Sequence, residues 1–222
     1  MSHLCNTSAK KSKGFGNAST RTKEQAAAAK EHIEKLLGTV NPGDVVVYTD
    51  GSSLGNPGPT GAGVYIQYPT EWGVSDITIA IPLGQGTNNI GELYAIGAAI
   101  KHIINTISNN DVTIQNIIFL SDSSYSLGCL TKGWQSKKNK TLIRAVKKLI
   151  RSIPGAKHNT CKCHWTPGHA DVYGNNIADR LANEGSLTSK TGGGPNPDTV
   201  TNNINNCNFL HGAKCIEVHK PD

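Results

Sequence analysis

Long apolar runs are missing from this chain of 222 residues. Nowhere does it approach the roughly 18 consecutive apolar residues of a membrane-spanning helix, which excludes an integral helical membrane protein. The opening stretch, MSHLCNTSAKKSKG, has none of the apolar core of a secretory signal, so an intracellular setting is expected, cytoplasmic or nuclear, with an organellar one left open. Cysteine is scarce and irregularly placed, six in all, too sparse for a disulfide scaffold; free thiols in a reducing compartment are expected. Acidic residues are absent between Ser123 and Ala170, a stretch that holds ten of the 22 Lys and Arg. The remainder carries 12 basic against 16 acidic side chains, so the net charge of +6 is one basic block on a mildly acidic protein. That pattern is the electrostatic footprint of a partner that is a polyanion, nucleic acid being the usual one.

What is present is a polar frame around an alternating core. Residues 1–21 are small, polar and basic, with Lys10, Lys11, Lys13 and Arg21 and no acid, and read as a disordered arm. Residues 22–38 read as a helix: Thr22 and Gln25 form a capping box, Ala29, Ile33, Leu36 and Leu37 make the apolar stripe, and Gly38 stops it. Residues 44–188 read as the main domain, and 189–222 as a Gly/Pro linker and an Asn-rich tail with a short helix or strand near Phe209–Val218. Within the main domain, Val45–Thr49 and Ile117–Leu120 are short apolar runs suited to strands buried on both faces. Gly61–Tyr68 and Val74–Ile81 read as further strands of a meander. Leu93, Ile96, Ile100, Ile103 and Ile107 give a long helix, and Leu142, Val146, Leu149 and Ile153 another. A strand at Cys161–Thr166 and a helix from Asn175 to Ser186 complete the series, which implies a mixed sheet with helices on its faces.

The acids of that domain fall at element ends. Asp50 closes the first strand and Asp122 closes the fourth; Glu92 lies near the start of the long helix and Asp179 near the start of the last one. If the two central strands run parallel, Asp50 and Asp122 sit side by side at the carboxyl edge of the sheet, where ligands bind in such folds. Converging carboxylates repel unless a cation lies between them, and oxygen-only donors suit Mg²⁺ or Mn²⁺. Taken singly, each acid also has a plain reading as a turn, a helix-terminus charge, an N-cap or a surface group.

The words around these acids carry a resemblance. Tyr48-Thr-Asp-Gly-Ser-Ser-Leu-Gly-Asn-Pro-Gly-Pro59, Thr87-Asn-Asn-Ile-Gly-Glu-Leu-Tyr-Ala95, Ser121-Asp-Ser-Ser-Tyr125, Trp165-Thr-Pro-Gly-His169 and Asn175-Asn-Ile-Ala-Asp179 follow one another in order. Together they resemble the type 1 ribonuclease H family, whose members cleave the RNA strand of RNA–DNA hybrids. The resemblance implies an α/β ribonuclease H-like fold, a five-stranded mixed sheet whose first three strands form an antiparallel meander, flanked by helices. It implies that Asp50, Glu92, Asp122 and Asp179 hold two Mg²⁺ ions, with Mn²⁺ as a substitute, and that His169 assists proton transfer or product release. It further implies an RNA–DNA hybrid as partner, lined by Gly51, Ser52, Gly55, Asn56, Asn88, Asn89 and Ser124, with Thr87 and Asn56 on a DNA-strand phosphate and Asn175 near the scissile bond. A monomer is the default expectation for the assembly.

The chain departs from the pattern of many bacterial members of the family in one place. Gly128–Trp134 leads almost directly into the helix of Leu142, leaving no room for the basic, Trp-bearing protrusion of many bacterial members; Lys132, Lys137, Lys138 and Lys140 offer a shorter basic loop. The form without the protrusion also occurs in retroelements, so an origin of that kind stays open, as does a catalytically silent protein that keeps the fold for nucleic-acid binding. Cys161-x-Cys163-His164 and Cys207-x3-His211-x3-Cys215 match no established zinc module and are read as small buried hydrophobes rather than ligands.

Overall fold

The computed structural model describes residues 5–7, 15, 20–132, 134, 136, 138–157, 160–168 and 172–218. Period-two burial along the strands builds the sheet and decides its faces. On β2 (Val45–Ser53), Val45 and Val47 enter one core while Val46 and Tyr48 enter the other. β3 (Gly58–Gln67) and β4 (Asp76–Gly86) continue from β2 as an antiparallel meander. β5 (Ile117–Ser121) runs parallel to β2, and β6 (Cys161–Trp165) parallel to β5.

The first core is closed by α2 (Asn88–Asn110), α3 (Ser124–Thr131) and α4 (Lys140–Arg151). The second core is closed by α1 (Lys23–Leu37) and α5 (Tyr173–Lys190). Helix α1 forms for the reason its sequence suggests: Thr22 Oγ1 accepts from the Gln25 amide, and the Gln25 side chain accepts from the Thr22 amide. Its inward residues Ala29 and Ile33 are fully buried against Val46, Tyr48, Tyr65 and Leu120. On α4, Leu142, Val146 and Leu149 are buried while Lys140, Arg144, Lys148 and Arg151 face outward, so the basic block is a charged helix face. Among the described residues no helix is long and apolar enough to cross a membrane.

Among the described residues the sheet has seven strands, two more than expected, in the order β1-β6-β5-β2-β3-β4-β7. The five central strands are the expected ones, and each edge is extended by a strand from a terminal segment. β1 (Cys5–Thr7) lies within the arm read as disordered and pairs parallel with β6. β7 (Lys214–Val218) pairs antiparallel with β4. Neither is marked by a long alternating run: β1 is three residues long, and four of the five residues of β7 are exposed.

The region read as linker and weak tail also holds α6 (Pro197–Asn205), which Asn196 caps by accepting from the Thr199 amide at 2.8 Å. After it comes Phe209, fully buried against Tyr94 of α2 with ring centroids 4.8 Å apart.

Helix α5 reaches the sheet through two glycines. A Cβ on Gly63 would lie 2.0 Å from the Ala178 carbonyl oxygen, and one on Gly61 2.3 Å from that of Ala182. Both obstacles are backbone, which cannot swing aside. Gly63→Ala is therefore expected to destabilise the fold by about 3 kcal/mol, the upper end of the usual overpacking range. Thermal unfolding checks this, at about 2–4 °C per kcal/mol for a chain of this size; an unchanged melting temperature would mean that α5 does not sit on β3.

Candidate active site

Register decides where the first two acids meet. In the parallel β2–β5 pair Tyr48 stands opposite Leu120, so two residues further along both strands Asp50 and Asp122 are neighbours at the carboxyl edge. Asp50 shares its parity with Val46 and Tyr48 and so points toward the α5 side. Glu92 arrives from the opposite side on α2, and it comes close because two glycines let it. A Cβ on Gly51 would be 2.2 Å from the Glu92 amide nitrogen, and one on Gly91 2.6 Å from the Gly61 carbonyl. Carboxylate oxygens of Asp50, Glu92 and Asp122 all lie within 4.8 Å of one another.

Two of these acids accept from neutral donors. Asp50 Oδ1 accepts from the Gly51 amide at 2.8 Å, and Glu92 Oε2 accepts from Ser121 Oγ at 3.5 Å. Burial, then the charge of Asp122, pushes the Asp50 carboxyl up to about 8, against the pull of the Gly51 amide. Glu92, only 7% exposed, is held well above the usual carboxylate range by burial first and by Asp50 and Asp122 next. Asp179, half-buried on α5, adds its own charge and a hydrogen bond to the forces on Asp50. Oxygen donors so close together, with protonation already favoured by repulsion, are a fit for a hard divalent cation. Among the described residues this is the group that could hold one; the cysteines are not gathered into such a group, and Cys161 and Cys163 are buried on β6.

The residues expected to line a groove form its rim. Gly51 and Ser52 lie on β2, and Ser52 Oγ donates to Asn183 Oδ1 at 2.6 Å, tying the strand to α5. Gly55, with φ +92°, turns the chain toward β3. Asn56 Oδ1 accepts from the Asn88 amide at 3.2 Å, joining that turn to the start of α2. Thr87 is the N-cap residue of α2, and Asn88 and Asn89 stand exposed in its first turn. Ser124 opens α3, half-buried, two residues after Asp122. Asn175 is buried within the first turn of α5, at 5% exposure. His169 and Lys137 lie outside the described residues.

Several neighbours were not singled out from the sequence. Asn183, one helical turn after Asp179, donates Nδ2 to Asp179 Oδ1 at 3.2 Å while accepting from Ser52; its i+4 spacing was the available signal. Trp165 donates Nε1 to the Asp122 carbonyl at 2.9 Å. Gly168 is packed so tightly on Asp122 that a Cβ there would lie 2.2 Å from Oδ2.

The chain is similar to known proteins over most of this domain. The family model for RNase H matches residues 42–187. A ribonuclease H of Ruthia magnifica is 33% identical over 150 residues, covering 63% of this chain and 92% of its own. One of Marinobacter nauticus is 32% identical over 143 residues, covering 64% and 94%. Among solved structures, LC11-RNase H1 from a compost metagenome superposes with a TM-score of 0.53 at 21% identity, over 67% of this chain and 99% of its own. The same protein has been solved in complex with an RNA/DNA hybrid, matching with a TM-score of 0.50 at 19% identity over 63% and 97%. At such identities these structures speak for the fold, whereas the family model spans the strand-end acids and the helices that bring them together. This chain belongs to the ribonuclease H family.

Proposed function

We propose that the chain is an endonuclease that hydrolyses the RNA strand of RNA–DNA hybrids, using two divalent ions and leaving 5′-phosphate and 3′-hydroxyl ends. The observation that carries this reading is the close cluster of buried Glu92 with half-buried Asp50 and Asp122, with Asp179 bearing on Asp50, at the carboxyl edge of the sheet. These four residues would hold Mg²⁺, or Mn²⁺ in its place. When bound, such ions sharpen a water as nucleophile and offset charge on the leaving oxygen. Water adds at the RNA phosphorus and the P–O3′ bond breaks; the phosphate stays on the 5′ end and the 3′ oxygen leaves as a hydroxyl.

The protein's own groups orient the hybrid for that step. Gly51 presents bare backbone, and Ser52, Gly55, Asn56, Asn88, Asn89 and Ser124 offer the small polar contacts that suit 2′-hydroxyls across a wide minor groove. Thr87 and Asn56 would hold a phosphate of the DNA strand, Asn175 would support the scissile region, and His169 would carry a proton to or from the reacting oxygens. The outward cations of α4 supply salt-sensitive attraction to the phosphate backbone.

The test is cleavage of 5′-labelled RNA annealed to DNA, with single-stranded RNA, double-stranded RNA and double-stranded DNA in parallel, with and without Mg²⁺. Metal-dependent cutting of the hybrid alone is expected. Binding of the hybrid with no product in Mg²⁺ or Mn²⁺, or equal cutting of double-stranded DNA, would overturn the reading.

A further inference from the structure

We infer that the segment before the family-matched region is a working part of the active site, with Arg21 as a positioning residue for the loop between β6 and α5. The family match begins at residue 42, so Arg21 belongs to what this chain adds. Its guanidinium makes two hydrogen bonds to backbone carbonyls at once. Nε donates to the Phe15 carbonyl at 2.8 Å, and Nη1 donates to the Gly168 carbonyl at 2.7 Å. The second bond joins residues 147 apart in sequence.

Both ends of this clamp are anchored. The Phe15 ring lies 5.2 Å from His32 of α1 and 6.4 Å from Trp165, nearly parallel to the indole at 16°. Trp165 is in turn hydrogen-bonded to the Asp122 carbonyl. Gly168 is buried, so its carbonyl needs a donor, and Arg21 supplies one. The same glycine abuts the Asp122 carboxylate with no room for a Cβ, and the next residue is His169. Arg21 thus fixes the backbone on which Asp122 leans and from which His169 departs. A planar fork holds two carbonyls in fixed directions in this way, whereas a lysine ammonium offers rotatable donors on a looser stem.

This inference rests on the proposed nuclease reading, and one set of measurements separates the two. Arg21→Ala and Arg21→Lys would be assayed for hybrid cleavage in the wild-type and His169→Ala backgrounds, alongside melting temperature and amide exchange of residues 165–168. Arg21→Ala is expected to lower kcat by about tenfold or more, with KM changed by no more than about twofold, because misplacement costs rate rather than affinity. Arg21→Lys should recover part of the loss. Exchange over 165–168 should quicken while the melting temperature holds. In the His169→Ala background the further loss from Arg21→Ala should shrink toward none, as for residues acting through one element. An unchanged kcat, an equal loss in both backgrounds, or unaltered exchange would overturn the inference. If the wild-type chain does not cut hybrid at all, the nuclease reading fails, and the exchange measurement alone decides whether Arg21 holds the loop.

Discussion

Asp50→Asn is expected to abolish hybrid cleavage and yet, with divalent ions removed, to raise the melting temperature. The two effects have one cause. Asp50 feels the charges of Asp122 and Asp179 and has Glu92 against it, so on the proposed reading its charge would serve a cation, and it costs stability without one. An ion lost from such a site removes several kcal/mol of transition-state stabilisation. At about 1.4 kcal/mol per tenfold, that is a fall in rate of at least about a hundredfold. Stability moves the other way. The folded-state carboxyl is raised from 3.8 to about 8, so the metal-free fold holds this proton more tightly than the unfolded chain does. The stability it contributes is full below pH 3.8 and is lost as pH rises through about 8. Asparagine removes that slope, so in EDTA the variant should gain over wild type as pH rises across this window. Melting curves in EDTA at a series of pH values check the second effect, and hybrid turnover in Mg²⁺ checks the first. Wild-type turnover, or a variant less stable than wild type in EDTA near neutral pH, would refute the account.

Phe209→Ala is expected to destabilise the chain by about 3–5 kcal/mol, the usual range for removing a fully buried phenylalanine. At about 2–4 °C per kcal/mol, a drop in melting temperature of roughly 6–20 °C should follow. Although it lies beyond the family-matched region, the ring is completely buried and packs against Tyr94. Its seat is made by Gly97 on α2: a Cβ there would stand 2.5 Å from two atoms of the ring. A helix position that lacks a side chain and a ring that fills the gap are complementary, and nothing else can occupy the space if the ring is cut away. A melting temperature within a degree or two of wild type would mean that residues 197–218 are an appendage. A large drop, with cleavage retained below the new melting temperature, would show them to be part of the core but apart from the chemistry.

How far the sequence alone reaches can be seen element by element. The capping box at Thr22 and Gln25, the 3.6-residue periods of α2 and α4, and the two parallel apolar strands were all legible, because each rests on neighbours in the chain. The meeting of Asp50 and Asp122 was legible too, since parallel pairing of two short strands leaves little freedom in register. What was hidden depends on distant partners. β1 and β7 are edge strands with little to bury, so no alternation marks them. Phe209 in an Asn-rich stretch reads as one isolated aromatic until Gly97 is brought opposite to it. Arg21 looks like one more charge of a basic arm, and only the fold shows that its guanidinium meets a carbonyl near the sheet's catalytic edge.

The placement of the two terminal strands bears on how the chain is made. β1 leaves the ribosome first, but its partner β6 is synthesised more than two thirds of the chain later, with Cys5 opposite Cys161. At about 5–20 residues per second, that is a delay of roughly ten to thirty seconds. β4 waits for β7 through a somewhat smaller share of the chain, with Asp76 opposite Val218. β1 is therefore already at hand when β6 is made, whereas the outer ladder of β4 stays unpaired until β7 follows, and an open ladder invites edge-to-edge association. The strand that does the waiting, β1, is only Cys5-Asn-Thr7, too short and too polar in sequence to collapse onto a wrong surface in the meantime.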